Sequence, residues 1–467
     1  MKKREFLAMG GAVPLMLAGC GGNGAGNAPM RLVNASVGYP GPLGFMDESN
    51  QITTGISYGS ASPFFNVQAG TVNLTLTETI SGKETSVTSA QPRNVIKDQR
   101  YTLVAYGVLD ELRLVNIAEN TNTLDAGTAT VNVLNTSVDI GAVDVYLSTT
   151  KDLSAATLIA QDLFANSSGP GQSAFAPDIQ PGAYYITVVG ANTVQENISD
   201  VRFQSSSPVT LAVLEILTVI LTPGVGGILA NVILLTQGTA SVANATVPLN
   251  NTTARARAVT SIPGDAISVN GTSPSGTAVT LLASSTTPKY SDYFVVSTGA
   301  PPVVTVSGNP VAVVMDDPTS TTTPPAEIAA SLGAGGDYTL MVYTDSSGNP
   351  KAKITPDDNT APVTAQGMKF RLINLASDNQ SLQLSMLVNK LTIASNIPYA
   401  TASKYTEVSV PQSTSSTIQV NDGAETIISD TTALTLQQLP NIFTEIVVSD
   451  DPTTGKTLSF FSSTSGN

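Results

Sequence analysis

The sequence predicts an all-β protein of tandem β-sandwich-like (Ig-like) domains, and three observations lead to this prediction. First, apolar and polar residues alternate along short runs such as Val72–Glu78, a period typical of strands with one buried face. Second, Gly, Asn and Asp separate the runs, as expected for turns. Third, the pattern of residues 31–120 returns three more times along the chain. Recurrence at about domain length indicates tandem domains, each with its own core.

The composition suits exposed strands and argues against one class of partner. A chain of 467 residues is too long for one core, and at about 100–150 residues per domain it predicts three or four domains. Charged residues make up 12%, about half of the roughly 25% usual in soluble proteins. The net charge is −14, and no basic stretch lies beyond the N-terminus. Nucleic acid is therefore disfavoured, because binding it requires Lys and Arg against phosphates.

Three residue types are absent or nearly so. The chain has no His, no Trp and a single Cys. One Cys excludes a disulfide within the chain, and zinc, copper and haem sites lose their usual ligands. We therefore predict no metal site and no cofactor. Calcium stays open, because it accepts carboxylates, and adjacent acids occur at turns. They are Asp316-Asp317, Asp357-Asp358 and Asp450-Asp451.

The N-terminus has the pattern of an export signal. Basic residues 2–4 precede the apolar stretch Leu7–Leu17, which is too short to span a bilayer. The stretch ends in Leu17-Ala18-Gly19-Cys20, which resembles the lipobox of bacterial lipoproteins. This resemblance implies cleavage before Cys20 and acylation of that residue, with palmitate among the chains. The alternative is an ordinary signal peptide with an incidental Cys. Lys3–Leu7 also resembles a twin-arginine motif, so the export route stays open.

The recurring pattern divides the chain into named parts. Residues 1–19 are the predicted signal peptide, and residues 20–29 are a predicted flexible tether. We call the four predicted β-sandwich units repeats 1 to 4, over residues 30–120, 128–238, 253–356 and 367–467. Small and turn-forming residues predict linkers between them, near residues 119–127, 238–253 and 354–366.

Short motifs within the repeats resemble a known family. Repeat 2 opens with Thr130–Ser137 and continues to Ala142–Leu147, where Asn-x-Ser after an apolar run is followed by Val-Asp-Val-Tyr. This resembles the domain of unknown function 4397 family of bacterial secreted proteins. Repeat 1 matches through Leu32–Ser36 and repeat 4 through Arg371–Asn374. The resemblance implies tandem β-sandwich-like repeats with no assigned activity.

Three segments have patterns that fit more than a simple strand. Val209–Thr236 is the strongest apolar run after the signal. It has two interpretations, a membrane helix and a β-hairpin. Pro223 and the glycines after it leave halves too short to span a bilayer, which favours the hairpin. We predict short helices at Leu153–Phe164 and Ala326–Leu332.

No motif in the chain predicts catalysis. Gly55–Gly59 matches the nucleophile elbow of serine hydrolases, and Ser148–Lys151 matches the Ser-x-x-Lys of acyl-serine enzymes. The elbow needs a His that the chain lacks, and the second motif lacks its partner motifs. Five tyrosines are candidates for stacking on sugars or peptides, although a place in the core explains most of them more simply. They are Tyr39, Tyr58, Tyr106, Tyr146 and Tyr399.

Together these features predict a non-enzymatic lipoprotein of the bacterial cell envelope that acts as a surface scaffold or interaction module. Its expected partners are the membrane, through a lipid on Cys20, and an envelope protein or glycan. The outer membrane is the expected site, with its periplasmic or surface face left open. The alternative function is binding of a soluble glycan or peptide. A hydrolase that uses carboxylates alone ranks last.

Overall fold

The computed structural model describes residues 26–462, with internal gaps. The gaps are 38–40, 48–49, 81–82, 108–111, 120–124, 138, 166–178, 192–199, 238–244, 263–265, 286–288, 320–324, 361, 363–366, 377–380, 382, 410–417, 423–424, 431–440 and 450–455. Within the described residues all regular elements are β-strands, and none is a helix long and apolar enough to cross a membrane. The predicted fold class is confirmed.

The strands fall into four groups that follow the four repeats. The first group is β1 (Asn27–Asn34), β2 (Leu43–Asp47), β3 (Asn50–Ile56), β4 (Phe65–Gln68), β5 (Gly70–Ile80), β6 (Lys83–Ser86), β7 (Gln91–Val95), β8 (Tyr101–Tyr106) and β9 (Arg113–Ala118). The second is β10 (Thr130–Asn135), β11 (Val143–Ser148), β12 (Thr157–Leu163), β13 (Gly182–Gly190), β14 (Val201–Gln204), β15 (Val209–Leu211), β16 (Ile216–Pro223), β17 (Ala230–Thr236) and β18 (Thr246–Leu249).

The third group is β19 (Thr253–Thr260), β20 (Ile267–Thr272), β21 (Ala278–Ser285), β22 (Lys289–Tyr290), β23 (Phe294–Ser297), β24 (Val303–Val306), β25 (Asn309–Val311), β26 (Val313–Asp316), β27 (Glu327–Ala329), β28 (Asp337–Thr344) and β29 (Pro350–Asp357). The fourth is β30 (Gly367–Leu375), β31 (Leu384–Val388), β32 (Leu391–Ile397), β33 (Thr401–Ala402), β34 (Thr406–Ser409), β35 (Ile418–Asp422), β36 (Glu425–Asp430), β37 (Asn441–Ser449) and β38 (Lys456–Ser462).

The described strands of each repeat form two sheets. One, which we call the pairing sheet, joins the first strand of the repeat in parallel to a strand near its C-terminal end: β1 to β8, β10 to β16, β19 to β28 and β30 to β37. The other, the outer sheet, is antiparallel and is built around β2, β11, β20 or β31. The core of each repeat lies between its two sheets. In repeat 1, for example, Leu32 of β1, Leu103 of β8 and Leu76 of β5 share one cluster.

The central strands of the pairing sheets are buried on both faces. Every described residue of β8, β19 and β30 is buried, as is usual for parallel strands. In β1, Leu32 points into the core of repeat 1, whereas the adjacent Val33 belongs to a cluster shared with repeat 2. That second cluster includes Ile220 and Ile233 of repeat 2. The outward face of each pairing sheet is therefore buried against a neighbouring repeat.

Repeats 1 and 2 pack through these faces with their strands running in similar directions. Arg31, near the start of β1, donates from Nη2 to the carbonyl of Thr236 at 3.1 Å. Thr236 is paired with the start of β16. Tyr58 lies beside the end of β1, and its hydroxyl is 2.8 Å from Thr222 Oγ1 near the end of β16. We call the end where the first strands begin the near end of the pair, and the opposite end the far end.

Repeats 3 and 4 form a second pair of the same kind. At the near end, Lys369 of β30 donates to Asp358, which follows β29, at 2.9 Å. At the far end, the rings of Tyr343 and Tyr399 meet edge to face with centroids 5.8 Å apart. Val259 and Ile373 belong to the apolar cluster between these contacts.

The tip of the β16–β17 hairpin joins the two pairs. Gly226 donates its backbone N–H to Gly335 at 2.8 Å and accepts one from Asn359 at 3.1 Å. Gly227 has φ +98°, and a Cβ there would lie 2.4 Å from the backbone oxygen of Asn359. The far end of repeat 2 thus meets the near end of repeat 3, so the two pairs follow each other along the molecule.

This hairpin confirms the hairpin prediction for most of Val209–Thr236, whereas Val209–Leu211 forms the separate strand β15, which pairs with β13. Strands β16 and β17 pair antiparallel from Leu217 opposite Thr236 to Pro223 opposite Ala230. The prediction of two short helices is wrong. Ala326–Leu332 contains β27, and Leu153–Phe164 contains β12.

A β-bulge explains the error at β12. The pairing of β11 with β12 shifts register, and Asp162 adopts φ +49°. The bulge interrupts the alternation, so the buried residues are Ile159, Ala160 and Leu163, a spacing that imitates a helix. The residue equivalent to Asp162 is Gly55 of β3 in repeat 1, with φ +74°, and Asn396 of β32 in repeat 4, with φ +55°.

Two predicted connections are more ordered than expected. Strand β1 begins at Asn27, within the predicted tether, and pairs with β4. The predicted linker after residue 238 contains β18, which pairs with β17. In the same linker the Asn251 side chain donates to the carbonyls of Arg202 and Ala230 at 2.7 and 2.9 Å. This part of the linker is therefore fastened to repeat 2.

The Asn of the family-like motif closes the first strand. Asn34 Oδ1 accepts the Ser36 N–H at 3.0 Å, and its Nδ2 donates to the carbonyl of Ile56 at 2.9 Å. Asn135 and Asn374 make the same two kinds of contact in repeats 2 and 4. One side chain thereby caps the pairing sheet and holds the end of an outer-sheet strand.

We predict that Asn34→Ala destabilises repeat 1 by about 1–3 kcal/mol, because it leaves buried backbone groups without partners. Denaturant unfolding should show a lower midpoint for the transition of this repeat. The matched control is Asn94→Ala, at an exposed position of β7, which should change the free energy of unfolding by no more than about 0.5 kcal/mol. Equal shifts for both variants would contradict the role of Asn34.

Candidate functional site

Among the described residues, a group of buried charged side chains lies between repeats 3 and 4. Outward-facing residues of β19, β28, β29 and β30 meet there, because alternate residues of each strand point away from its own core. The group contains three arginines and two aspartates, and all five residues are buried. They are Arg255, Arg257, Arg371, Asp337 and Asp357.

Asp357 is the shared acceptor of this cluster. Its Oδ2 accepts hydrogen bonds from Tyr293 Oη and Thr339 Oγ1, each at 2.6 Å. Arg257 Nε lies 3.9 Å from the same oxygen. Its Oδ1 accepts a hydrogen bond from Arg371 Nη1, which belongs to repeat 4. One carboxylate of repeat 3 therefore binds guanidinium groups from both repeats.

Asp337 holds the third arginine in a bidentate pair. Arg255 donates from Nε and Nη2 to the two oxygens of Asp337 at 2.9 and 2.7 Å, a strong geometry. Asn359 donates to the same carboxylate at 2.6 Å. Since Asp337 and Asp357 stand directly opposite each other on β28 and β29, the arginines offset a like-charge pair that would otherwise be destabilising.

A tyrosine ring lies against two of these cations. The guanidinium carbons of Arg255 and Arg257 are 4.6 and 4.7 Å from the ring centroid of Tyr293, within cation–π range. Burial raises the pKa of Tyr293 well above its usual value, although Arg257 opposes this shift. The phenol therefore stays protonated and can donate to Asp357.

Repeats 1 and 2 share a smaller cluster of the same design. Arg31 stands opposite Thr102 and donates to its Oγ1 at 2.8 Å and to Glu119 at 2.6 Å. Its guanidinium carbon is 4.6 Å from the Phe64 ring centroid. Burial lowers the pKa of Arg31, while Glu119 opposes this shift. In repeat 2 the register position of Arg31 carries the uncharged Asn132.

The tyrosines proposed for ligand stacking mostly lie in the contacts between repeats. Tyr58 and Tyr106 belong to the cluster between repeats 1 and 2, and Tyr399 to that between repeats 3 and 4. Tyr146 lies in a small cluster on the outer sheet of repeat 2. Tyr39 lies outside the described residues.

The two serine motifs are turn structures. Ser57 is exposed on the turn after β3, and the elbow glycine Gly55 is the left-handed bulge residue of that strand. Ser148 is buried and donates its hydroxyl to the carbonyl of Asp152 at 2.8 Å. Both motifs therefore have a local structural explanation.

The acidic pairs are separated by the fold. Asp357 lies in the buried cluster, and Asp358 binds Lys369. Asp316 binds Lys353, whereas Asp317 caps the turn at Thr319. Asp450-Asp451 and the predicted lipidation site Cys20 lie outside the described residues. Within the described part of the chain, no three His, Cys, Asp or Glu residues converge on a metal-sized site.

An open groove of about 520 Å³ lies at the far end of repeat 3, and we call it the repeat 3 groove. Its apolar lining residues include Pro310, Val311, Val314, Tyr343 and Ala352. Glu327 and Lys351 add one charge of each sign. Burial first, and then Glu327, raises the pKa of Tyr343 to about 12. The groove thus combines apolar side chains, polar side chains and a neutral phenol.

The sequence pattern predicts that the arginines of these clusters lie on strands, but it does not predict that they lie between repeats. Arg31, Arg257 and Arg371 each precede two apolar residues. An arginine inside an otherwise apolar run is the signal that was available, because a buried guanidinium needs a partner. The partners were not readable, since Glu119 is 88 residues from Arg31 along the chain.

We predict that Asp357→Ala destabilises the contact between repeats 3 and 4 by about 3–5 kcal/mol, because it leaves buried cations without their acceptor. Thermal and denaturant unfolding would both show the loss. Lys351→Ala is the control, because it removes an exposed ion pair with Asp345 worth about 1 kcal/mol at most. A loss no larger than that of the control would show that the cluster contributes little.

Tyr343 should make stability fall at alkaline pH. Its folded pKa of about 12 lies above the usual 10.0, so the fold holds the proton more tightly than the unfolded chain does. The resulting stabilisation is complete below pH 10 and is lost as pH rises through 12. Tyr343→Phe should therefore lose less stability over this window than the wild type, as measured by denaturant unfolding. Tyr290→Phe, at an exposed ring, is the control, and identical curves for wild type and Tyr343→Phe would contradict the assignment.

Two solved structures show distant similarity to the chain. A proposed cell adhesion protein from Bacteroides uniformis shares 12% identity, with 50% of this chain and 98% of that chain covered and a TM-score of 0.19. The Bacillus anthracis TIE protein shares 8% identity, with 91% and 68% covered and a TM-score of 0.13. Scores this low carry no argument about function.

Comparison of sequences is more informative. No curated protein matches the chain. A family model does match, and it covers repeat 1 together with β10 and most of β11. The predicted family resemblance is thereby confirmed for this part of the chain: residues 26–146 match the Domain of unknown function (DUF4397).

Proposed function

We propose that this protein is a non-enzymatic lipoprotein of the bacterial cell envelope that serves as a surface scaffold or interaction module. One observation carries the proposal: the buried charged residues Arg31, Asp357 and Arg371 of the pairing sheets make contacts between repeats. Arg31 and Glu119 are each 1% exposed, and the Asp357 side chain is fully buried. Residues that would mark a reactive cleft in an enzyme are used here to hold neighbouring repeats together.

The order of the repeats supports a role in display. The chain enters the folded part at the near end of repeat 1, where β1 begins. Repeats 3 and 4 follow beyond the far end of repeat 2, because the β16–β17 tip contacts Gly335 and Asn359. A lipid on Cys20 would hold the first pair near the membrane and direct the second pair away from it.

The surroundings of the serine motifs support the non-enzymatic assignment. Ser57 is on an exposed turn, and a serine nucleophile requires a base to remove its proton. The chain contains no His. The Ser148 hydroxyl donates a hydrogen bond to a backbone carbonyl within its own turn.

Attachment through Cys20 is testable by substitution. Cys20→Ser should move the protein from the membrane fraction to the aqueous fraction, because two or three acyl chains anchor stably whereas a chain without them has no such anchor. Mass spectrometry of the wild type should find an acylated N-terminal Cys20. The control is Ser57→Ala, which leaves the predicted signal intact and should fractionate like the wild type.

Two results would contradict this attachment. One is a Cys20→Ser protein that stays in the membrane fraction after a high-salt wash. The other is a mature wild-type chain whose Cys20 carries no acyl group.

The repeat 3 groove favours a second candidate function, which is binding of a soluble glycan or peptide. Its mixture of apolar and polar lining residues and the Tyr343 phenol suit such ligands. Glycan and peptide arrays would supply candidate ligands. Val314→Trp should then abolish their binding by filling the groove, whereas Val303→Trp, at an exposed position of the same repeat, should leave it unchanged. Equal binding by both variants would place the ligand elsewhere.

A further inference from the structure

We propose that the near end of repeats 1 and 2 is a membrane-contact surface, which we call the contact end. In this proposal the turns at residues 96–99 and 212–215 rest in the headgroup region of the bilayer that holds the lipid on Cys20. The inference rests on the proposed lipid anchor and deepens it. It assigns an orientation to the protein and a lipid surface as the partner of two turns.

The position of the N-terminus is the first observation. Strand β1 begins at Asn27, whose carbonyl accepts the Asp98 N–H at 3.0 Å. The Lys97 side chain lies directly against Gly26. Only residues 21–26 separate Cys20 from β1, and six residues reach no more than roughly 20 Å when fully extended. A lipid on Cys20 therefore keeps the turn at residues 96–99 close to the headgroups.

Exposed apolar side chains at this end are the second observation. Ile96 is 64% exposed at the start of the turn before β8, and Val213 and Leu214 are 58% and 54% exposed in the turn before β16. Leu214 has φ +62° and donates its N–H to the carbonyl of Thr128, just before β10. Both turns lie at the near end of their pairing sheets.

The packing of repeats 1 and 2 brings these turns to the same side of the molecule. Arg31 contacts Thr236, and the Thr236 hydroxyl lies 3.1 Å from Glu215 in the second turn. Contact at the opposite end between Tyr58 and Thr222 excludes the reverse orientation.

Single exposed apolar residues are common on soluble proteins and need no explanation. Here Val213 and Leu214 occupy the tip of one turn and Ile96 begins the other, beside the point where the chain leaves for its anchor. Moving such side chains from water into the boundary between headgroups and acyl chains makes the free energy of membrane binding more favourable. Lys97 and Asp98 are exposed together and offset each other. Glu215 of the second turn accepts hydrogen bonds from the Ala212 N–H and the Thr236 hydroxyl. The contact should therefore depend on apolar insertion and not on attraction to anionic lipids.

The absence of Trp from the chain allows a direct test. Ile96→Trp and Val213→Trp each place a single reporter in a turn of the contact end. Leu391→Trp, at a 55% exposed position of repeat 4, is the matched control. The acylated full-length proteins would be reconstituted in phosphatidylcholine vesicles whose acyl chains are brominated near the headgroups. We expect several-fold stronger quenching and a blue-shifted emission at positions 96 and 213 than at 391.

Native lysines supply a second readout that needs no substitution. Lys97 lies in one contact turn, and Lys390 lies in an exposed turn of repeat 4. An amine-acylating reagent should modify Lys97 several-fold more slowly on vesicles than in detergent, and Lys390 at equal rates in both.

The outcomes separate this inference from the lipid anchor. If the protein is acylated and floats with the vesicles, but quenching is equal at all three positions and Lys97 is not protected, the contact end is refuted while the anchor stands. If Cys20 carries no acyl group, the anchor itself fails.

Discussion

The parallel pairing of each repeat's first strand with a strand near its C-terminal end is the constraint on which the rest of the structure depends. It places central strands such as β8 and β19 where both of their faces must be covered. The sandwich core covers one face. The other would expose residues such as Val104 and Val259 to water if it stood alone, and the neighbouring repeat covers it. Packing in pairs is thus a consequence of strand order within each repeat.

Buried charge then determines how the paired faces align. Removing guanidinium and carboxylate groups from water is costly, and a buried ion pair is weak evidence for stability by itself. A mismatched alignment would separate the buried Arg371 from its carboxylate partner Asp357, which costs several kcal/mol more. The shared Asp357 therefore favours one arrangement of repeats 3 and 4 over sliding alternatives. In the first pair the uncharged Asn132 occupies the position that corresponds to Arg31, so apolar packing carries more of that contact.

Local sequence patterns predicted the strands well and the contacts between repeats poorly. The β16–β17 hairpin was readable because two apolar halves flank a Gly-rich turn. The strand β12 was not, because the bulge at Asp162 breaks the alternation on which strand prediction depends. The partners of Tyr58 and Arg31 lie in another repeat, at sequence separations of 164 and 205 residues for Thr222 and Thr236. No local pattern specifies such a pairing, and charge alone did not indicate which carboxylate an arginine would meet.

Cleavage between β9 and β10 tests the pairing of repeats most directly. A specific protease site inserted in this connection would be cut in the folded full-length protein, and the products would be analysed by size-exclusion chromatography with mass detection. Face-to-face packing predicts that repeat 1 stays bound to the rest of the chain after complete cleavage and separates only in denaturant. It also predicts that Val104→Asp, which places a charge in the buried contact, releases repeat 1 without denaturant. Free repeat 1 from the cleaved wild-type protein under native conditions would contradict the account.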